Sequence, residues 1–282
     1  MTPKVLVVGA AGQLGSAMVR RLSHDTTVVG LTRRELELTN HAAVATVVAR
    51  ERPAVILNCA AYNAVDQAEG AVADALAVNA FVPQSLARAA RAVDATLVHY
   101  STDFVFDGHA SRPYTESDAP NPQSVYGQSK LIGEWLASDA PRAYVLRVES
   151  LFGGPAARSS IDRIIASLRS GEPARVFVDR VVTPSFVDDV VDATWSLLTR
   201  EAEPGLYHVV NAGETTWHAL GAEAARLLGT DANLVPVRVA DVPMRAARPQ
   251  YCALSTARLA GAGVSMPAWQ DALGRYIRLL AN

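Results

Sequence analysis

The sequence predicts an α/β fold, a doubly wound parallel sheet with a smaller C-terminal lobe interleaved with its last strands. Three observations carry that prediction. Short apolar runs alternate with longer amphipathic runs through the first half of the chain. A glycine-rich turn joins the first apolar run to the helix after it. After about Ser150 the alternation loosens and prolines punctuate the tail.

The runs Val5–Val8, Thr27–Leu31, Ala54–Asn58, Thr96–Tyr100 and Tyr144–Val148 read as strands. Their near-continuous apolar character is that of strands covered on both faces. Residues 13–23, 41–51, 71–92 and 125–138 carry helical spacing. In 71–92, Leu76, Val78, Asn79, Val82, Leu86 and Ala90 fall largely on one side. Strictly alternating strands and helices imply right-handed crossovers and a parallel sheet. Gly153-Gly154-Pro155 then interrupts the pattern. Beyond it the spacing predicts helices over 159–169, 187–200 and near 217–228, with strands over 175–178 and 206–210. Pro236, Pro243, Pro249 and Pro267 break up the tail. Residues 1–150 are read as the main domain, joined by later strands that return to its sheet. Residues 151–282 are read mainly as the smaller lobe.

Half of the residues are hydrophobic and 19% are charged, as in an ordinary water-soluble chain with a large core. The net charge is -2 and no run of Lys or Arg forms an electrostatic footprint, which argues against nucleic acid as a partner. No apolar stretch reaches the roughly 18 residues of a membrane span. The first apolar run is too short for a signal peptide, so a cytoplasmic location is expected. Cys59 and Cys252 lie far apart in no C-x-x-C spacing, so neither a disulfide framework nor a required metal is expected.

Gly9, Gly12 and Gly15 form G-x-x-G-x-x-G between a buried strand and a helix. That context is the one a dinucleotide fingerprint requires. Glycine permits the tight turn, and the helix start, with Gln13 and Leu14, turns free N–H groups toward a pyrophosphate. A carboxylate at the end of the second strand would select NAD. Thr32, Arg33 and Arg34 stand there instead. The Arg33 guanidinium suits a 2′-phosphate, so NADPH is the expected cofactor, with NADH still possible. The plainer alternatives are a ligand-free glycine connection and a solvated arginine pair.

The fourth strand runs into H-Y-S-T-D-F-V-F-D-G, residues 99–108. Ligands of open parallel sheets bind beyond the carboxyl ends of the strands. Ser101 and Thr102 fall there, with hydroxyls able to hold a carbonyl oxygen. Tyr126 and Lys130 follow, four positions apart on one helix face. An ammonium beside a phenol favours the phenolate and lowers the tyrosine pKa. Tyr126 can then give a proton to a carbonyl as hydride arrives from a nicotinamide.

This combination resembles the extended short-chain dehydrogenase/reductase superfamily and, within it, the dTDP-4-dehydrorhamnose reductase family. The matching stretches span nearly the whole chain: V-V-G-A-A-G-Q-L-G, R-P-A-V-I-L-N-C-A-A-Y-N-A-V-D-Q-A-E, V-H-Y-S-T-D-F-V-F-D-G, S-V-Y-G-Q-S-K-L-I-G-E, G-L-Y-H-V-V-N-A-G-E-T-T-W and R-P-Q-Y-C-A-L-S-T. The resemblance implies a Rossmann-like fold and an NADPH-dependent 4-ketoreductase of a nucleotide sugar, with a homodimer as one arrangement. It makes Tyr126 the acid, Lys130 the residue that holds the ribose and tunes Tyr126, and Thr102 the partner of the keto oxygen. Gly9, Gly12, Gln13, Leu14, Gly15, Arg33 and Ser101 would hold the cofactor, with Cys59, Ala60, Ala61 and Tyr62 along its length. Val65, Asp66, Asp103, Phe104, Glu149, Ser150, Thr183, Trp217 and Arg248 would border the substrate. Asn79 would help fix the active-site loop.

Several of these have bland alternatives. Asp66 and Glu69 also suit helix caps, Trp217 a packing residue, Arg248 a surface arginine and His99 a core histidine. Two stretches depart from the family. Where it usually reads R-T-S-W-V-Y-G, residues 147–153 read R-V-E-S-L-F-G, so Glu149 replaces a small polar residue and Ser150 a tryptophan. Where it reads R-P-x-N-S, residues 248–252 read R-P-Q-Y-C. Both changes put the identity of the sugar in question. A dehydratase or epimerase of nucleotide sugars is a second reading. Against dehydration, Thr102 is followed by Asp103 and Phe104 rather than by two carboxylates. A third is a non-catalytic cofactor-binding subunit resembling the regulatory subunit of methionine adenosyltransferase.

Overall fold

The computed structural model describes residues 3–154 and 159–281. Pro155 of the predicted interruption lies outside the described residues. The first half alternates as expected: β1 (Lys4–Val8), α1 (Gln13–Leu22), β2 (Thr27–Leu31), α2 (His41–Glu51), β3 (Val55–Asn58), α3 (Val65–Ala68), α4 (Val72–Leu76), α5 (Val82–Val93), β4 (Thr96–Thr102), α6 (Val125–Ala137) and β5 (Arg142–Val148). The second half holds β6 (Leu151–Phe152), α7 (Ser160–Ser170), β7 (Ala174–Phe177), β8 (Val181–Val182), β9 (Ser185–Phe186), α8 (Val187–Thr199) and β10 (Gly205–His208). It ends with β11 (Thr215–Thr216), α9 (Trp217–Leu228), β12 (Leu234–Val237), α10 (Ala257–Gly261) and α11 (Trp269–Leu279).

Six parallel strands form the sheet in the order β2-β1-β3-β4-β5-β10. β10 is the strand that returns from the second half. Successive β1 residues feed opposite faces. Val5 and Val7 pack with α1, α8 and the smaller lobe, whereas Leu6 and Val8 pack with α2 and α5. The first of these clusters runs from β1 through Ile161, Leu220 and Leu273, so the lobe's core is continuous with one face of the sheet. The chain reverses direction between β1 and β3, which opens a crevice at their carboxyl ends.

The predicted helix over 71–92 is interrupted. A single π-helical turn, Ala77–Phe81, separates α4 from α5. The extra residue in that turn carries Asn79 into the interior, where it is 1% exposed. Such bulges often serve functional sites. In the tail, α11 has Trp269, Ala272, Leu273, Tyr276 and Ile277 buried on one face. That spacing is legible in the sequence, and only the surrounding prolines hide it. Strands β6, β8, β9 and β11 are two residues each, too short to leave a periodic signal.

Under β4 and β5, the Arg147 guanidinium grips the Glu134 carboxylate with two hydrogen bonds of 2.8 and 2.7 Å. Their side chains are 3% and 6% exposed. Removing one partner of such a pair leaves a bare buried charge. Arg147→Met is therefore expected to destabilise the fold by about 3–5 kcal/mol, read as a lower urea midpoint at unchanged slope. A shift under 1 kcal/mol would show that the pair is not needed.

Candidate active site

The crevice holds two adjoining cavities of about 730 and 400 Å³ that share Gly12 and the Cys59–Ala61 and Asn63 backbone. The larger lies over the β1–β2 side and is bordered by Gly9, Arg33 and Tyr62. The smaller is bordered by Ser101, Thr102, Tyr126, Lys130, Glu149 and Trp217. Each of the sheet strands β1, β3, β4 and β5 thus delivers its following turn to the same place.

The first turn is shaped for close backbone approach. Gly9 has φ +76°, and a Cβ there would lie 2.7 Å from the Ala60 nitrogen. A Cβ on Gly15 would lie 2.2 Å from the Gly9 oxygen. Helix α1 begins at Gly12 with no side-chain cap and no acidic residue in its first turn. Its N-terminal N–H groups and dipole are left for an anion. The residues therefore fit the dinucleotide expected from the sequence, and the α1 N-terminus would hold its pyrophosphate. Arg33 is exposed, and its Nε donates to Glu37 at 3.1 Å on the rim of the larger cavity. Gln13 Nε2 donates to the Gly153 carbonyl at 2.8 Å, tying α1 to the strand β6 region.

The loop after β3 is held by Asn79. Its Oδ1 accepts from the Tyr62 N–H at 2.8 Å, and its Nδ2 donates to the Tyr62 carbonyl at 3.1 Å and to Ser129 Oγ at 3.0 Å. Ser129 in turn donates to the Tyr126 carbonyl at 2.8 Å. The π turn thus fastens the loop to the tyrosine helix. Helix α6 is capped by Ser124, whose Oγ accepts from the Gly127 N–H at 3.2 Å. Glu69 reaches across to accept from the Val125 N–H at 2.9 Å, so the helix-cap alternative describes it.

Tyr126 and Lys130 are both buried on one face of α6. Tyr126 Oη faces Asn63 Oδ1 at 3.5 Å, too far to be held firmly, and Phe104 packs edge-on against its ring at 5.5 Å. Lys130 Nζ donates to the Tyr100 carbonyl at 2.5 Å. Burial pushes its ammonium down to about 8. The Tyr126 phenol is pushed up, by burial and then by the Asp103 carboxylate, with a hydrogen bond from Thr102 opposing. This corrects the expectation of a lowered phenol. Desolvation sets the direction, and the lysine ammonium is committed to a backbone carbonyl. A proton donor is consistent with this, because the group holds its proton across the physiological range.

Thr102 Oγ1 donates to Asp103 Oδ1 at 2.9 Å and accepts from the Phe104 N–H at 3.2 Å. Ser101 Oγ is buried with no hydrogen-bond partner among the described residues. Trp217 stands at the start of α9, nearly buried, with its Nε1 also lacking a partner there. Ser150 holds φ +45°, a left-handed conformation unusual for a residue with a side chain. Glu149 is buried behind it. Its Oε2 accepts from the Thr183 N–H at 2.8 Å and from the Thr183 hydroxyl.

Three of the substrate candidates do not border the smaller cavity: Asp66, Thr183 and Arg248. Asp66 and Arg248 are paired with each other at 2.7 Å, and Asp66 also accepts from the Ala246 N–H at 3.0 Å. They clasp α3 to the tail loop. His99 is a core residue whose Nδ1 meets Asn58 Nδ2 at 3.0 Å, and burial holds it neutral. Arg180, not anticipated from the sequence, borders the cavity with its guanidinium 5.4 Å from the Phe104 ring centroid. It immediately precedes the two-residue strand β8, which is too short to leave a pattern that would place it. Cys252, Asp103 and Glu149 also converge, within 4.8 Å of one another, from positions up to 149 residues apart in sequence.

The comparisons with known proteins agree with this geometry. The family model described as RmlD substrate binding domain matches residues 3–282. The dTDP-4-dehydrorhamnose reductase of Streptomyces griseus is 38% identical, over 96% of this chain and 92% of the relative. The dTDP-4-keto-6-deoxy-D-glucose reductase of Streptomyces niveus is 35% identical, over 99% of this chain and 98% of the relative. Among solved structures, dTDP-4-dehydrorhamnose reductase from Bacillus anthracis in complex with NADP superposes with a TM-score of 0.95 at 30% identity, covering 99% of this chain and all of that one. Glycine turn, strand-end hydroxyls and tyrosine–lysine helix thus occur together in a chain that belongs to the RmlD substrate binding domain family.

Proposed function

We propose that this protein is an NADPH-dependent reductase of the C4 keto group of a dTDP-4-keto-6-deoxy sugar, with dTDP-4-dehydro-L-rhamnose the leading substrate and dTDP-L-rhamnose its product. The observation that carries the reading is the convergence of Thr102, Tyr126 and Lys130 at the strand ends beside the glycine turn. The kinship with reductases of two such sugars supports the substrate class. Residues 1–150 would hold the cofactor and the reacting groups, and residues 151–282 serve mainly as the substrate-binding lobe. Exposed Trp135 and Phe81 offer apolar surface for a second copy, in keeping with a homodimer. No helix among the described residues is long and apolar enough to cross a membrane. A cytoplasmic location and independence from nucleic acid belong to the same proposal.

The cofactor, when bound, supplies hydride to C4. The chain's residues do the rest. Gly9, Gly12 and Gly15 would admit the pyrophosphate to the α1 N-terminus, Arg33 would meet the 2′-phosphate, and Lys130 would hold the ribose. Tyr126 gives its proton to the oxygen that gains charge, and Thr102 steadies that oxygen. The buried setting strengthens both interactions. The dehydratase reading lacks its second carboxylate beside Asp103, because Phe104 occupies that position. The non-catalytic reading has no use for a buried, loosely held phenol beside the hydroxyl-bearing end of β4 and a lysine.

Oxidation of NADPH with dTDP-4-dehydro-L-rhamnose, made in situ from the glucose precursor, tests the reading directly. Tyr126→Phe is expected to lower turnover by about 10²-fold or more and leave NADPH affinity within about twofold. Full activity in that variant would remove Tyr126 as the acid. Arg33→Ala is expected to weaken NADPH by about tenfold or more, the value of a charge-assisted hydrogen bond, with little effect on NADH. Equal losses for the two cofactors would remove the 2′-phosphate assignment. Lys130 is charged below about pH 8 and neutral above it. Turnover is therefore expected to fall as pH rises through that value. Stability from the same group has the opposite sign. Its folded pKa lies below the unfolded one, so the fold gains as pH rises from about 8 toward the ordinary lysine range.

A further inference from the structure

Beneath Thr102 lies a group of buried charges that the reductase reading does not use. Asp103 and Glu149 are 3% and 2% exposed. Each has one oxygen engaged, Asp103 Oδ1 by the Thr102 hydroxyl and Glu149 Oε2 by Thr183. Each has one oxygen, Asp103 Oδ2 and Glu149 Oε1, that is sealed from solvent with no hydrogen-bond partner among the described residues. Ligand-type atoms of the two carboxyls and of Cys252 lie within 4.8 Å of one another.

The surrounding charges fix how many protons this pair holds. Among the described residues one cation faces it, Arg180, whose Nη2 is 4.0 Å from Asp103 Oδ2. Lys130 is turned away to the Tyr100 carbonyl. Cys252 is a neutral thiol donating to the Pro249 carbonyl at 3.2 Å. Tyr126 keeps its proton on one side, and Tyr251, hydrogen-bonded to Glu214, keeps its own on the other. Two carboxylates against one guanidinium would leave a bare negative charge in a dry site. One added proton makes the group neutral. Like charges this close in low dielectric do not both ionise.

We propose that Asp103 and Glu149 carry one proton between them, and that Glu149, acting through Asp103, positions the Thr102 hydroxyl for the keto oxygen. The inference rests on the reductase reading for its consequence and on burial for its premise. With the proton on Glu149, Asp103 is ionised and accepts the Thr102 hydrogen across the 2.9 Å Oγ1–Oδ1 contact. Thr102 then presents only lone pairs to the cavity. With the proton instead on Asp103 Oδ1 and Glu149 ionised, the Asp103 carboxyl donates to Thr102 Oγ1, and the Thr102 hydrogen is free for the substrate oxygen. No proton is gained or lost overall. Glu149 touches neither substrate nor cofactor in this scheme and is a positioning residue.

The test is infrared spectroscopy of the protein with NADPH bound, at neutral pH, in H₂O and D₂O. A protonated-carboxyl C=O band that shifts in D₂O is expected in the wild type and expected to vanish in Glu149→Gln and in Asp103→Asn. Gln keeps an acceptor oxygen for Thr183, and Asn at 103 serves if the first variant fails to fold. The absence of the band in the wild type, or its survival in both variants, would overturn the shared proton. For turnover, Glu149→Gln is expected to lower kcat about tenfold, one transition-state hydrogen bond, with KM and NADPH affinity within twofold. Loss of the band with kcat unchanged would overturn the positioning role. The spectrum needs no substrate, so a wrong choice of sugar would silence the kinetics and leave the band intact.

Discussion

The close approach of the turns after β1 and β3 is the contact on which the site depends. At Gly9 a side chain would collide with the Ala60 backbone, so the two turns meet only because that position has no Cβ. Their meeting marks where the sheet reverses direction, and the reversal opens the crevice. Everything that reads as chemistry is then delivered by strand ends facing that opening. Distance along the chain ceases to matter there. Thr102, Tyr126, Glu149 and Trp217 come from four separate elements and border one cavity.

Desolvation is the second theme. Tyr126 is pushed up, Lys130 down, and Asp103 and Glu149 up, in each case first by burial. All four shifts favour the neutral form. A site that strips charge from its own residues is one in which the charge of a bound anion or a developing alkoxide meets little competition from water. The rim behaves differently. Arg33 is exposed and loosely paired, free to meet a phosphate, whereas Asp66 and Arg248 neutralise each other and act as a clasp.

Most of the fold was legible in the sequence because the buried parallel strands and their helices repeat strongly. The site's parts were legible where a motif is local. The glycines sit within seven residues, and Tyr126 and Lys130 are one helical turn apart. The π turn was not legible. A helix with one extra residue keeps nearly the same apolar spacing, and only the placement of Asn79 against Tyr62 reveals it. Helix α11 was legible and overlooked, since its spacing is plain once the prolines around it are set aside.

The sequence by itself thus determined the fold class, the glycine turn and the pairing of Tyr126 with Lys130 on one helix face, because each is written in short-range spacing. Tertiary structure alone decided their electrostatics. Asp103, Arg180, Glu149 and Cys252 have no spacing that joins them, and they become one cluster only when β4, β5 and the tail loop pack together. The sign of the Tyr126 shift was likewise decided there. A neighbouring lysine can be read from spacing, but the loss of water around a phenol depends on every element that covers it.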